Sequence, residues 1–148
     1  FHLLQGVETL ALRMARHVQN AEKAVAMLLE HPAVAWVNHP SMAQHPDHDL
    51  AQRQMPNGAG SIVAFGVKGG REAGAKFIDA LSLTSHLANV GDAKSLAIHP
   101  GSTTHRQLDD DAMRAAGLSE DMIRLSVGLE AFADLSADLD QALKTSQR

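Results

Sequence analysis

A short run of alternating side chains near the C-terminal end constrains the fold of this chain more than any other feature. Residues 122–127 read MIRLSV, and every second side chain is a large aliphatic one, which predicts a β-strand with one apolar face. Arg124 lies on the other face of that strand, and Gly128 ends it. A guanidinium keeps its proton in a protein, so Arg124 needs an anionic partner. That partner is either a structural carboxylate, which is the commoner case, or the carboxylate of a bound ligand.

The composition predicts one globular domain and argues against several classes of partner. The chain has 148 residues, of which 45% are hydrophobic and 20% are charged, so it can bury a core. A net charge of −4, without a run of lysine and arginine, argues against nucleic acids and anionic membranes. The sequence contains no cysteine, no apolar run of about 18 residues that would predict a transmembrane helix, and no signal-peptide pattern. We therefore expect a cytoplasmic protein.

Helical and strand-like patterns alternate along the chain. Apolar spacing predicts helices over 1–30, 71–81, 112–116 and 131–144, a helical turn or two over 47–54, and strands over 33–37, 61–67, 95–98 and 122–127, with a weaker strand over 82–87. This order predicts an α/β (α+β) sandwich, in which one sheet of about four strands carries helices largely on one face. The chain starts at Phe1 with a helical pattern already under way, so we expect it to be part of a longer polypeptide. In that interpretation residues 1–30 form a linking helix and residues 31–148 form the domain.

Two other groups of residues invite a functional interpretation. His39, His45 and His48 lie in one loop, but their spacing matches no zinc pattern and two of them precede proline, so surface turns are favoured over a metal site. The segment GVKGG at 66–70 stands between a strand and a helix, as a phosphate-binding turn does. It matches neither phosphate-loop pattern, and a plain turn is favoured. The residues alone therefore predict a support and binding domain with one unusual arginine.

Several segments, taken in order, resemble one enzyme family. They are GVETL at 6–10 followed by Arg13, the His-Pro pairs at 31–32 and 39–40, ANVGDAKSL at 88–96 followed by IHP at 98–100 and STTH at 102–105, and IRLSVGLE at 123–130. Together they resemble the C-terminal domain of the pyridoxal-phosphate (PLP) enzymes of cysteine and methionine metabolism, the cystathionine gamma-synthase family. Within it the chain is most similar to the branch that acts on O-acetylhomoserine. The resemblance implies a small, mostly antiparallel sheet with helices on one face, in a C-terminal small domain.

The resemblance assigns roles to two residues. Arg124 is similar to the family's arginine that grips the α-carboxylate of the amino-acid substrate, a task that suits a planar two-pronged donor. This implication favours a ligand over a structural carboxylate as the partner of Arg124. Asn89 stands where many relatives carry a serine that helps to hold the same carboxylate, and asparagine is expected in the O-acetylhomoserine branch. The hydrogen bond that Asn89 makes is left open.

The resemblance also implies what this chain does not carry. Family enzymes bind PLP through a lysine of a large domain, and none of the five lysines here stands in that motif. We expect no catalytic, cofactor-binding or metal-binding residue in this chain, and no activity from the chain alone. The complete protein would be a PLP-dependent transferase, usually a homotetramer. It would replace the acetate of O-acetylhomoserine by sulfide or a thiol, giving homocysteine or methionine.

Two alternatives stay open. The first keeps the family and changes the reaction to cystathionine formation or γ-elimination. The second is a free-standing α/β binding or assembly module without catalysis.

Overall fold

The computed structural model of the chain describes residues 1–103, 115 and 117–148. Its elements in chain order are α1 (His2–Glu8), α2 (Leu10–Glu30), β1 (Val34–Asn38), α3 (His48–Gln54), β2 (Ile62–Val67), α4 (Gly70–Ala80), β3 (Ser85–His86), β4 (Leu96–Ile98), β5 (Met122–Ser126) and α5 (Phe132–Ser146). Each lies where the apolar pattern predicts it, with bounds that differ by a few residues. The helix predicted over 112–116 falls almost wholly outside the described residues.

The strands form one mixed sheet in the order β1-β2-β5-β4-β3. The pairs β1–β2, β2–β5 and β5–β4 are antiparallel, whereas β3 runs parallel to β4. The mostly antiparallel sheet is confirmed, since three of its four strand pairs are antiparallel, and the predicted count of about four strands is corrected to five. The fifth strand, β3, has only two residues and lies at the sheet edge. The segment 82–87 that contains it shows little alternation of apolar and polar residues, so it predicts a strand only weakly. After β3, residues 87–95 lead the chain back to the end of the sheet at which β3 begins. Strand β4 therefore runs parallel to β3.

The hydrophobic core lies between one face of the sheet and helices α2, α4 and α5. Alternate residues of the two central strands, Phe65 of β2 and Ile123 and Leu125 of β5, are completely buried there. Phe65 meets Phe77 of α4 edge-to-face, with ring centroids 5.7 Å apart. The predicted apolar stripe of the last helix also faces the core: Leu135, Leu139 and Leu143 are completely buried, and Phe132 is partly buried. The expected sandwich with helices on one face is confirmed.

The opposite face of the sheet is only partly covered. Cross-strand neighbours on this face are Ala64 of β2, Arg124 of β5 and Ile98 of β4, and all three are half-buried. Asn38 of β1 continues the row beside Ala64 and is exposed. The alternation of β5 therefore places its arginine on the face away from the helical layer. None of the described helices has the length and apolar character needed to cross a lipid bilayer.

Candidate functional site

Arg124 lies at the middle of the central strand β5, on the face opposite helices α2, α4 and α5. Its register neighbours are Ala64 on β2 and Ile98 on β4, so its side chain has apolar residues on both sides. The guanidinium Nη2 donates to the backbone carbonyl of Asn89 at 3.4 Å, which is long for a hydrogen bond. Among the residues that the structure describes, no carboxylate pairs with Arg124. The structural partner that an arginine in a strand usually has is therefore not seen in this part of the chain.

Asn89 lies in the loop 87–95, which connects β3 to β4 and passes over Arg124. Its side chain is occupied within the loop: Oδ1 accepts from the N–H of Val90 at 2.8 Å, and Nδ2 donates weakly to Asp92 Oδ2 at 3.4 Å. Asp92 Oδ1 in turn accepts from the N–H of Lys94 at 3.1 Å, and this backbone donor holds the pKa of the Asp92 carboxyl below its usual value. The structure thus brings Asn89 to Arg124 through its carbonyl group. The role predicted for its side-chain amide stays a prediction.

A carboxylate that the sequence interpretation missed ties this loop to the end of β5. Glu130 Oε1 accepts from the N–H of Ser95 at 2.6 Å, and its Oε2 accepts from the Ser95 hydroxyl at 2.8 Å. The Ser95 Oγ accepts from the N–H of Gly128 at 2.8 Å. Leu129 donates its N–H to the carbonyl of Ala93 at 2.9 Å. These contacts join the corner 127–130 to the C-terminal end of the loop.

Helix α2 satisfies the backbone carbonyls of the same corner. The Nδ1–H of His17 donates to the carbonyl of Val127 at 2.6 Å. The Asn20 side-chain amide donates to the carbonyls of Gly128 at 3.0 Å and Glu130 at 2.9 Å. His17 is 1% exposed and Asn20 is 0% exposed, so these are buried polar contacts that fix the corner on the helix. The helical spacing of α2 predicts which of its residues face inward, but it does not predict that two of them bond to the end of a distant strand.

The histidines make turns, as predicted, although not all of them lie on the surface. In three His-Pro dipeptides the Nδ1 atom of the histidine ring accepts a hydrogen bond from the backbone N–H two residues further on. His31 accepts from Ala33, His39 from Ser41 and His45 from Asp47. His39 is 1% exposed, so the prediction of a surface residue is wrong at this position. Burial lowers its pKa because the charged imidazolium is poorly solvated there. No group of three or more metal-ligating side chains exists among the described residues.

The glycine-rich segment at 66–70 connects β2 to α4. Gly69 and Gly70 have φ values of +102° and +66°, which favour glycine. A carboxylate oxygen of Glu120 lies 3.1 Å from the position that a Cβ of Gly70 would occupy. An acid so close to the turn disfavours a phosphate there, which supports the interpretation as a plain turn.

The lysines bear on whether this chain's own residues fit PLP. All five, Lys23, Lys68, Lys76, Lys94 and Lys144, are exposed. Two of them form surface pairs one helical turn from an acid, between Lys76 and Glu72 at 3.0 Å and between Lys144 and Asp140 at 2.7 Å. A lysine that forms a Schiff base is instead held in a desolvated pocket or beside another cation, which lowers its pKa. These exposed lysines do not fit the covalent attachment of the cofactor.

Comparisons with known proteins show the family of this chain. The family model of Cys/Met metabolism PLP-dependent enzymes matches residues 1–144. The chain is 53% identical over 141 residues to O-acetyl-L-homoserine sulfhydrylase 1 of Thermus thermophilus, covering 95% of this chain and 34% of that protein. It is 49% identical over 146 residues to homocysteine synthase of Schizosaccharomyces pombe, covering 99% of this chain and 34% of that protein.

A solved structure shows the same fold. The crystal structure of a putative O-acetylhomoserine (thiol)-lyase from Campylobacter jejuni, which carries an N'-pyridoxyl-lysine-5'-monophosphate, superposes with a TM-score of 0.89 at 44% sequence identity. The match covers 96% of this chain and 34% of that one. The chain thus spans about a third of the length of the relatives that it matches. The chain therefore belongs to the family of PLP-dependent enzymes of cysteine and methionine metabolism.

Proposed function

We propose that this chain is the C-terminal domain of a PLP-dependent O-acetylhomoserine sulfhydrylase, and that Arg124 binds the α-carboxylate of the amino-acid substrate. Residues 1–30 would lead into the domain and residues 31–148 would form it. The observation that carries the proposal is a half-buried arginine on the sheet face opposite helices α2, α4 and α5, with no carboxylate partner among the described residues. The names of the relatives support the substrate and the reaction.

The reaction proposed for the complete enzyme is a γ-replacement. Acetate leaves from O-acetylhomoserine, and sulfide or a thiol takes its place, which gives homocysteine or methionine. PLP supplies an electron sink when it is bound, and its attachment requires residues other than the exposed lysines of this chain. This chain contributes binding and orientation of the substrate.

The geometry explains how Arg124 would hold a carboxylate. Ala64 and Ile98 flank the arginine and lower the local polarity, which strengthens a charge-assisted pair relative to one in water. A carboxylate that accepts two parallel N–H groups is fixed in its plane as well as in its position. The guanidinium of Arg124 contacts the loop through the Asn89 carbonyl, but this 3.4 Å contact is weak. It does not satisfy the N–H donors of the guanidinium. To reach the substrate, the side chain of Asn89 would turn away from Asp92 and Val90, with which it makes hydrogen bonds of 3.4 Å and 2.8 Å.

We also propose that the complete enzyme is a cytoplasmic homotetramer. Phe1 and Leu3 are each 86% exposed and Leu4 is 71% exposed, so the start of the chain offers an apolar surface for contacts with other parts of the complete enzyme. Light scattering of the complete enzyme should give a mass of four chains. A monomeric mass would contradict this part of the proposal.

Steady-state kinetics of the complete enzyme test the role of Arg124. Lysine keeps the charge and loses the two-pronged geometry, so Arg124→Lys should raise the KM for O-acetylhomoserine by about tenfold or more, the value of one charge-assisted hydrogen bond. The KM for sulfide and the visible absorbance of the cofactor should not change. Arg53→Lys, on the exposed last turn of α3, is the matched control.

Two outcomes would reject the proposal or change it. A wild-type KM and kcat in Arg124→Lys would remove the carboxylate-binding role. Activity with cysteine in place of sulfide would move the enzyme to the cystathionine-forming members of the family, and no activity of the complete protein on either sulfur donor would favour a binding module.

A further inference from the structure

We propose that Glu130 is a positioning residue for this site: its carboxylate anchors the loop 87–95 and so sets the distance between Asn89 and Arg124. The inference rests on the proposed role of Arg124. Glu130 lies beyond the end of β5 and acts through the loop.

The contact between Glu130 and Ser95 is two-pronged and partly shielded from water. One carboxylate oxygen accepts the Ser95 N–H at 2.6 Å and the other accepts the Ser95 hydroxyl at 2.8 Å. Ser95 is completely buried, whereas Glu130 is half-buried. Short hydrogen bonds to a carboxylate are among the stronger ones in proteins. A single side chain thereby holds both the backbone and the side chain at the end of the loop.

The corner after β5 is shaped to receive this contact. A Cβ on Gly128 would lie 2.5 Å from Glu130 Oε2 and 2.5 Å from the backbone carbon of Lys94, so only glycine permits the approach. The carbonyl group of Glu130 is itself held by Asn20 at 2.9 Å and by Arg16 at 3.3 Å. Glu130 is therefore a rigid support, because helix α2 fixes its backbone.

Two short paths lead from Ser95 to the proposed site. Towards the N-terminus, Lys94 bonds to Asp92 and Asp92 to Asn89, whose carbonyl contacts Arg124. Towards the C-terminus, Ser95 leads directly into β4, where Ile98 lies beside Arg124. The middle of the loop has little other support, since Asn89, Val90 and Gly91 are all exposed. Release of Ser95 would loosen the loop along both paths.

Two substitutions of Glu130 in the complete enzyme test the inference. Glu130→Ala removes both acceptors and should raise the KM for O-acetylhomoserine about tenfold with a smaller change in kcat. Glu130→Gln keeps one acceptor oxygen and should raise that KM only about threefold, a partial rescue. The KM for sulfide should stay at the wild-type value. Glu72→Gln, an exposed glutamate on α4 with a surface pair to Lys76, is the matched control.

Hydrogen exchange separates positioning from a merely structural role. In Glu130→Gln the peptide covering residues 87–98 should exchange faster than in the wild type, while peptides from α2 and α5 keep their protection. A purely structural role would speed exchange throughout and lower the active fraction without raising the KM. Glu130→Gln also provides the test if Glu130→Ala does not fold.

The outcomes separate this inference from the proposed function. If Arg124→Lys raises the KM and the Glu130 variants do not, the positioning role is wrong and the carboxylate site stands. A raised KM in the Glu130 variants without faster exchange of the loop also overturns the positioning role. If neither Arg124→Lys nor the Glu130 variants change the KM, both proposals fail together.

Discussion

Asp138 of α5 offers the sharpest test of how the helical layer is joined to the sheet edge. Its Oδ1 accepts the N–H of Ser82 at 2.8 Å, and its Oδ2 accepts the N–H of Thr84 at 2.9 Å. Gln141 adds a third donor to Oδ1 at 3.2 Å. The segment held in this way leads from α4 into β3. Asp138→Asn keeps the size of the side chain and replaces one acceptor oxygen by an N–H₂ group.

The structure sets the size of the expected effect. Asp138 is 7% exposed and Thr84 is 4% exposed, so the N–H of Thr84 would face a donor with little access to water. Loss of one hydrogen bond to a charged acceptor, with its donor left buried, costs about 2–3 kcal/mol. This is a large part of the roughly 5–15 kcal/mol that stabilises a domain. The urea midpoint should fall by about 1 M.

The pH dependence of the free energy of unfolding is an independent test of whether the Asp138 carboxylate stabilises the fold. Burial by itself would raise the pKa of Asp138, but the backbone N–H groups of Ser82, Thr84 and Leu83 together outweigh burial and lower it. A carboxyl group with a lowered pKa stabilises the fold above its unfolded-state pKa of about 3.9. That contribution is lost as the pH falls through the folded-state pKa. The wild type should therefore lose its advantage over Asp138→Asn below about pH 4.

Urea unfolding followed by circular dichroism between pH 8 and about pH 3 measures both effects. Asp79→Asn, which is exposed near the end of α4, is the matched control and should change the free energy of unfolding by no more than about 0.5 kcal/mol. An Asp138→Asn midpoint equal to the wild type at pH 7 would refute the reasoning. So would a difference that persists unchanged in acid.

Two further predictions concern the open face of the sheet and the buried histidines. A Cβ at Gly66 would lie 2.6 Å from the indole carbon Cε2 of Trp36 and would displace its 2.9 Å hydrogen bond to Asp121, so Gly66→Ala should cost about 1–3 kcal/mol. It should also change the emission of Trp36, the one tryptophan of the chain, and an unchanged spectrum and unfolding midpoint would contradict this. Burial lowers the pKa of His39 and His99, so their stabilising contribution is present above about pH 6.5 and is lost as the pH falls further. The free energy of unfolding should drop between about pH 7 and pH 5, less steeply in His39→Gln, and equal slopes would count against the assignment.

Much of the fold could be predicted from the sequence because its signals are local. Alternation over 122–127 and the spacing of Leu135, Leu139 and Leu143 each show, within a few residues, which side chains face the core. Glycine and proline mark the turns between these elements. The same local signals placed Arg124 on the face of β5 away from the apolar layer. The bounds of strand β3 were predicted least well, because two residues are too few to show a period.

The candidate site was predicted only in part. The sequence motifs pointed to Arg124 and Asn89, and the structure brings them together through the Asn89 carbonyl. They gave no sign of the contact between Glu130 and Ser95, which joins residues 35 positions apart. They also gave no sign that His17 and Asn20 would be buried against the end of β5.

The sequence by itself determined the type and place of most elements, the face on which Arg124 lies, and the family to which the chain belongs. Only the tertiary structure decided how distant parts of the chain meet. It set the parallel pairing of the edge strand β3, the contact between Glu130 and Ser95 that anchors the loop 87–95, and the burial of His39. The physical reason is that periodicity fixes the orientation of each side chain relative to its own element. The distance between residues of different elements depends on how the elements pack, and this carries no short-range signature.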